Sequence, residues 1–84
     1  MMYYVYVLTN EEGKMYVGYT SELRQRLNNH NAGKNKSTKG QQWNVVYYEA
    51  YKSEQDARIR EKKLKRSGQA RRWLKERIKG SINS

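Results

Sequence analysis

The chain has 84 residues, no cysteine and a formal charge of +10, with 18 Lys and Arg against 8 Asp and Glu. That length supports one domain, residues 1–84, which buries only about 60% of the surface its unfolded chain exposes, and the charge points to DNA, RNA or another anionic surface without specifying a fold. Lack of cysteine excludes a disulfide scaffold or thiolate metal site, a single histidine argues against stable zinc, and no apolar run is long enough for a leader or membrane span, so a soluble cytoplasmic protein is expected.

In chain order, residues 3–8 (YYVYVL) are aromatic and β-branched and read as a strand. Asn10 to Lys14 is polar and carries Gly13, which reads as a turn, and Met15 to Tyr19 reads as a second strand, giving an antiparallel hairpin. Ser21 is the expected N-cap of a helix over 22–32, with Glu22 set against the helix dipole and Gly33 as its stop. Leu23 and Leu27 define one face of that helix, and Arg26 and His30, also four apart, lie on an adjacent one.

Residues 34–42 (KNKSTKGQQ) read as a polar loop, either an ordinary solvated one or a segment that closes over nucleic acid. Trp43 to Tyr51 reads as the third and most hydrophobic strand. Ser53 opens the next helix, with Asp56 completing a capping box in its shorter-acid form. Ala57 and Leu64 share the inward face, and Gly68 is the expected end. Residues 70–79 form a last helix with Leu74 and Ile78 inward, and 80–84 is a frayed tail. The expected architecture is α/β: a three-stranded antiparallel sheet flanked by helices.

Several residues stand out chemically. Tyr4 and Tyr6 share a strand face, with Val5 and Val7 opposite. Packing is the commoner role for tyrosine on a small sheet, and the same holds for Tyr16. Gly18 weakens its strand and marks close approach by a helix or a substrate backbone. Arg26 offers a planar fork of donors suited to phosphate, although most arginines in so basic a chain are solvated surface. His30 is the lone histidine, one turn from Arg26, and is either structural or catalytic. Glu61 is the sharpest anomaly, because it falls between Ala57 and Leu64 on the inward stripe. A carboxylate there is either paired, with Arg26 or another arginine, or holds a metal. Tyrosine, arginine, histidine and glutamate together are the groups a small metal-dependent phosphodiesterase needs.

With these residues in order, the chain resembles the GIY-YIG nuclease superfamily over about residues 3–66. The likeness is to its small stand-alone members, related to the N-terminal catalytic domain of the excinuclease C subunit. Tyr4-Val5-Tyr6 stands at the first triplet with tyrosine in place of glycine, and Tyr16-Val17-Gly18 matches the second. Arg26 follows Tyr16 at the family spacing, His30 occupies the next position, and Glu61 matches the single metal-binding glutamate. The resemblance implies a site of Tyr6, Tyr16, Arg26, His30 and Glu61, with Tyr4 and Gly18 structural. It also implies Mg²⁺ on Glu61, with Mn²⁺ as an alternative. In that scheme Tyr6 is the base with Tyr16 as its hydrogen-bonding neighbour, Arg26 clamps the scissile phosphate and His30 assists. Two departures bear on substrate positioning: Trp73 lies where members often carry asparagine, and Tyr19 follows Gly18 where the excinuclease domain has lysine.

The function expected is metal-dependent endonucleolytic hydrolysis of DNA phosphodiester bonds with little sequence specificity, since no appended reader domain is expected. Lys34, Lys36, Lys39, Arg71, Arg72 and Lys75 would guide the DNA backbone, and branched or damaged DNA would be selected by shape. RNA stays open as a substrate, and a membrane is not expected as a partner. Two other readings compete: a catalytically weak nucleic-acid-binding domain, and a small interaction subunit of a larger repair or recombination protein. An exposed apolar patch away from the site would favour the last.

Overall fold

A computed structural model describes residues 1–33 and 42–83. The chain runs β1 (Tyr3–Thr9), β2 (Met15–Thr20), α1 (Leu23–Asn31), β3 (Asn44–Tyr51), α2 (Glu54–Arg66), α3 (Gly68–Arg77) and a one-turn α4 (Lys79–Ile82). The strands form one antiparallel sheet in the order β2-β1-β3, so the expected architecture is the observed one.

The hairpin is closed by Asn10, whose Oδ1 accepts from the backbone N–H groups of Glu12 and Lys14 at 3.0 and 2.9 Å. Gly13 takes a φ of +80° in the same turn, a conformation that favours glycine. β1 is central and buried on both faces. On one, Val5, Val7 and Val17 pack with Ala57 and Leu64 of α2 and with Ala70, Leu74 and Ile78. On the other, Tyr6, Leu8 and Trp43 pack with Tyr16, Leu23 and Leu27 beneath α1. Alternation along the strands therefore sends α1 and α2 to opposite faces of the sheet.

Helix boundaries follow local chemistry, with four differences from expectation. α1 begins at Leu23 and ends at Asn31, and its N-cap is Glu22 rather than Ser21. The backbone N–H of Glu22 donates instead to Thr20 Oγ1 at 3.0 Å, which fixes the entry to the helix from the strand side. α2 starts as expected, with Ser53 Oγ accepting from the Asp56 N–H, but it ends at Arg66 and Gly68 opens α3 rather than closing α2. The reason is Ser67, which caps the end of α2 and whose Oγ also accepts from Ala70 N–H at 3.1 Å as the N-cap of α3. The stretch expected to fray turns once more as α4, and Ile82 is half-buried against the core. Finally, β3 is apolar in sequence yet lies at an edge, where Val45 and Tyr48 are 40% and 56% exposed.

Gly18 is required by packing. It pairs with Tyr6 across β1 and β2, on the same face. A Cβ at this position would collide with the Tyr6 hydroxyl and Cζ and lie 2.9 Å from Cε1. The close approach expected at Gly18 is therefore made by a tyrosine of the same sheet, and neither a helix nor a substrate is needed to account for it. Gly18→Ala is expected to lower folding stability by about 1–3 kcal/mol through overpacking. Gly80→Ala, with nothing within 4 Å of the added carbon, should show no such loss. Urea denaturation of the two variants checks the contrast.

Candidate nuclease site

The centre of the site is built from three rings on the α1 face. The Tyr6 hydroxyl and His30 Nε2 form a buried 2.8 Å hydrogen bond. Tyr16 stands with its ring centroid 4.7 Å from His30 and 6.3 Å from Tyr6, both tilted or edge-on, and its hydroxyl acts on the proton affinity of Tyr6. Trp43 closes the far side of Tyr16 at 6.3 Å, and Asn31 pins Trp43 by accepting its backbone N–H and donating to its carbonyl. Tyr6 is 1% exposed, whereas Tyr16 is only partly buried.

Burial and neighbouring charge set the proton affinities. Tyr6 is pushed well above the ordinary tyrosine value by burial and then by Tyr16, against a lowering contribution from Arg26 and a raising one from Glu61. His30 is pushed below its ordinary 6.5 by burial first and by Arg26 second. The protein thus holds a neutral phenol against a neutral imidazole. Arg26 is exposed on α1, one turn before His30, and its charge acts on both Tyr6 and His30.

Glu61 approaches from the other side of the sheet. Its carboxylate is 19% exposed and pairs with Lys65 at 3.1 Å, four residues on along α2. Lys65 Nζ also lies 5.9 Å from the centroid of Tyr16, so this flank of α2 faces β2 beside the tyrosine pair. The arginine partner considered for Glu61 is replaced by a lysine, yet the charge of Glu61 still reaches the Tyr6 hydroxyl. The structure therefore brings Tyr6, Tyr16 and His30 into contact, with Arg26 and Glu61 in electrostatic reach of Tyr6.

The other expected residues are placed as follows. Tyr4 lies on the Tyr6 face and packs edge-on against Tyr48 at 5.9 Å. Arg71 lines a pocket with Tyr16 and Lys65, and its Nη1 donates to the carbonyls of Leu64 and Lys65 at the end of α2. Arg72 and Lys75 are exposed on α3. Lys34, Lys36 and Lys39 lie outside the described residues. Tyr19 points to the opposite face, where its hydroxyl donates to Glu54 and its ring lies beneath Arg58. Sequence reading missed Lys65, although the i,i+4 spacing from Glu61 carries the signal.

The donor set suits a hard cation. Among the described residues no group of three or more His, Cys, Asp and Glu could cage a metal. A single accessible carboxylate fits Mg²⁺ or Mn²⁺, which fill their shells with water and phosphate oxygens. The present partner of the Glu61 carboxylate is the half-exposed ammonium of Lys65.

Comparison with known proteins finds a family and several relatives. The family model for the GIY-YIG catalytic domain matches residues 2–76. A UPF0213 protein of Streptococcus agalactiae serotype V is 43% identical over 56 residues, covering 64% of each chain. This chain therefore spans somewhat under two thirds of that relative's length. A UPF0213 protein of Halobacterium salinarum is 33% identical over 73 residues, covering 84% of this chain and 95% of that one. The solution NMR structure of a UPF0213 protein from Bacillus halodurans superposes with a TM-score of 0.58 at 32% identity, covering 88% of this chain and 82% of that chain. No helix among the described residues is long and apolar enough to cross a membrane.

The depressed value of His30 has a consequence for stability. The unfolded chain takes up this proton near pH 6.5, while the folded chain resists it to lower pH. The contribution of a neutral His30 is therefore fully present above pH 6.5 and is lost as pH falls towards the depressed folded value. Urea midpoints measured from pH 7.5 down to about pH 5 should fall more steeply for the wild type than for His30→Gln. Parallel curves would contradict the buried neutral imidazole.

Proposed function

The chain belongs to the GIY-YIG catalytic domain family, and we propose that it is a metal-dependent endonuclease that hydrolyses DNA phosphodiester bonds with little sequence specificity. The observation that carries this reading is the buried Tyr6–His30 hydrogen bond with Tyr16 packed against both rings, and a guanidinium and a carboxylate both acting on the Tyr6 hydroxyl.

Exposure orders the two tyrosines. Tyr6 is sealed from solvent and Tyr16 is not, so Tyr16 meets the attacking water and Tyr6 stands behind it, the reverse of the order favoured from the sequence. A standing tyrosinate at Tyr6 is disfavoured by burial. Neutral His30 provides the sink instead: a proton taken at Tyr16 Oη passes to Tyr6 Oη and on to His30 Nε2, and Tyr6 ends as a neutral phenol. Arg26, exposed beside the group, binds the scissile phosphate and offsets the charge that develops in the transition state. Glu61 would hold the cation, which when bound lowers the pKa of water and polarises the phosphate. The net charge of +10 adds salt-sensitive, sequence-independent attraction to the DNA backbone.

The interaction-subunit reading gains one observation. Tyr4, Leu23, Leu27, Val45 and Tyr48, with the polar Ser21, Glu22 and Arg24, line an open groove between α1 and β3. A Val45→Ser, Tyr48→Ser protein that still cuts DNA but has lost a bound partner would support it.

Nicking of supercoiled DNA in Mg²⁺, Mn²⁺ and EDTA tests the nuclease. Cleavage should require the cation and fall to the EDTA background in Glu61→Gln. Arg26→Ala should cut at least roughly 10²-fold more slowly while binding DNA nearly as well as the wild type. Tyr16→Phe should lose more activity than any ring-packing role explains, because the ring is retained. Cation-independent nicking that persists in all three variants would remove the site.

A further inference from the structure

A second basic cluster lies on the other flank of α2, outside the site just described. Arg60, Lys63, Ala70, Trp73, Leu74 and Arg77 line a pocket of about 210 Å³ between α2 and α3. Trp73 is 65% exposed, although Leu74 beside it is buried. Trp73 and Arg77 are four residues apart and stand on one face of α3.

The charges here do not cancel. Glu49 of β3 lies beneath the pocket, and its carboxylate is already engaged. It accepts both oxygens' contacts from Arg60 Nε at 3.0 and 3.1 Å and receives the hydroxyls of Tyr47 and Tyr51. Glu76, next to Arg77, pairs with Lys79 at 3.7 Å. Arg60 is thus balanced by Glu49, while among the described residues no carboxylate pairs with Lys63 or Arg77, which line the pocket beside the exposed Trp73. Two cations next to a solvent-exposed aromatic ring match a phosphodiester with an unpaired base. An indole stacks any base, and the cations take the adjoining phosphates. Duplex DNA keeps its bases stacked inside and gains nothing from the indole.

We propose that this α2–α3 pocket binds single-stranded nucleic acid, with an unpaired base stacked on Trp73 and its phosphates held by Lys63 and Arg77. The proposal rests on the nucleic-acid reading of the protein and adds its substrate class: DNA that presents an unpaired segment, such as a flap, a bubble or a branch. The pocket and Glu61 occupy different flanks of the same helix, so single-stranded substrate is gripped on one side of α2 and cut on the other.

The test is fluorescence anisotropy in EDTA, which blocks cleavage, with three labelled probes of equal length: oligothymidylate, the same strand with abasic sites, and a duplex. Trp73→Ala should weaken oligothymidylate binding about tenfold, as loss of one stacked base predicts, and leave the abasic strand and the duplex unchanged. Trp73→Phe should retain most of the affinity. Lys63→Ala and Arg77→Ala should each reduce the salt dependence on single strands by about 0.7 in the logarithmic slope. Because Trp73 is exposed, loss of folding does not confound these variants. Equal binding of oligothymidylate by wild type and Trp73→Ala would overturn the proposal. So would an equal loss on all three probes, or a self-association seen by sedimentation that Trp73→Ala abolishes. Nicking of supercoiled DNA together with oligothymidylate binding that Trp73→Ala leaves unchanged removes the pocket and leaves the nuclease standing. Trp73-dependent strand binding without nicking does the reverse.

Discussion

The ring of Tyr6 lies across the backbone of Gly18, and its hydroxyl ends on His30. That one placement ties three elements together: β1 supplies the ring, β2 gives up a side chain to admit it, and α1 supplies the imidazole. Because Tyr6 is central in the sheet and sealed from solvent, the hydrogen bond is made where water cannot compete for it. Tyr16, two residues before Gly18 on the same face, is brought beside the pair by strand periodicity alone.

The electrostatics follow from the same burial. A phenol and an imidazole that are both held neutral place no standing charge in the buried centre. The full charges stay at the rim, on Arg26 and Glu61, where water and a phosphate can reach them. They are carried by helices on opposite faces of the sheet, so the strand pair between them fixes their separation, and no loop among the described residues has to be ordered to do it.

Much of this was legible in the sequence because it is local. The hairpin, the Ser53 cap, the inward Ala57 and Leu64, and the ordered series Tyr6, Tyr16, Arg26, His30 and Glu61 all follow from spacing or from family resemblance. What escaped depends on which element lies where. Gly18 signalled a close approach but not what approaches, since that requires the register between β1 and β2. The apolar Val45 and Tyr48 suggested a buried strand, but edge position left them exposed. Glu49 looked like one polar residue in an apolar strand. Its role emerges only when the sheet places it, with Tyr47 and Tyr51, under Arg60. Ser67 was overshadowed by the glycine after it, which was expected to end α2 but instead opens α3.

That shared cap has a consequence for how such a chain tolerates change in length. α2 and α3 meet at Ser67 with no intervening loop, and Arg71 clasps the last carbonyls of α2 from the first turn of α3. There is no slack at the joint to absorb an extra residue. One inserted there would shift α3 relative to α2, moving Trp73 and Arg77 away from Lys63 and Leu74 out of the core. The turn between β1 and β2, facing outward and closed by a single asparagine, carries no such phase relation. Length variation should therefore be tolerated at residues 10–14 and excluded at residues 66–68, so that the elbow sets the reading frame of the whole C-terminal half.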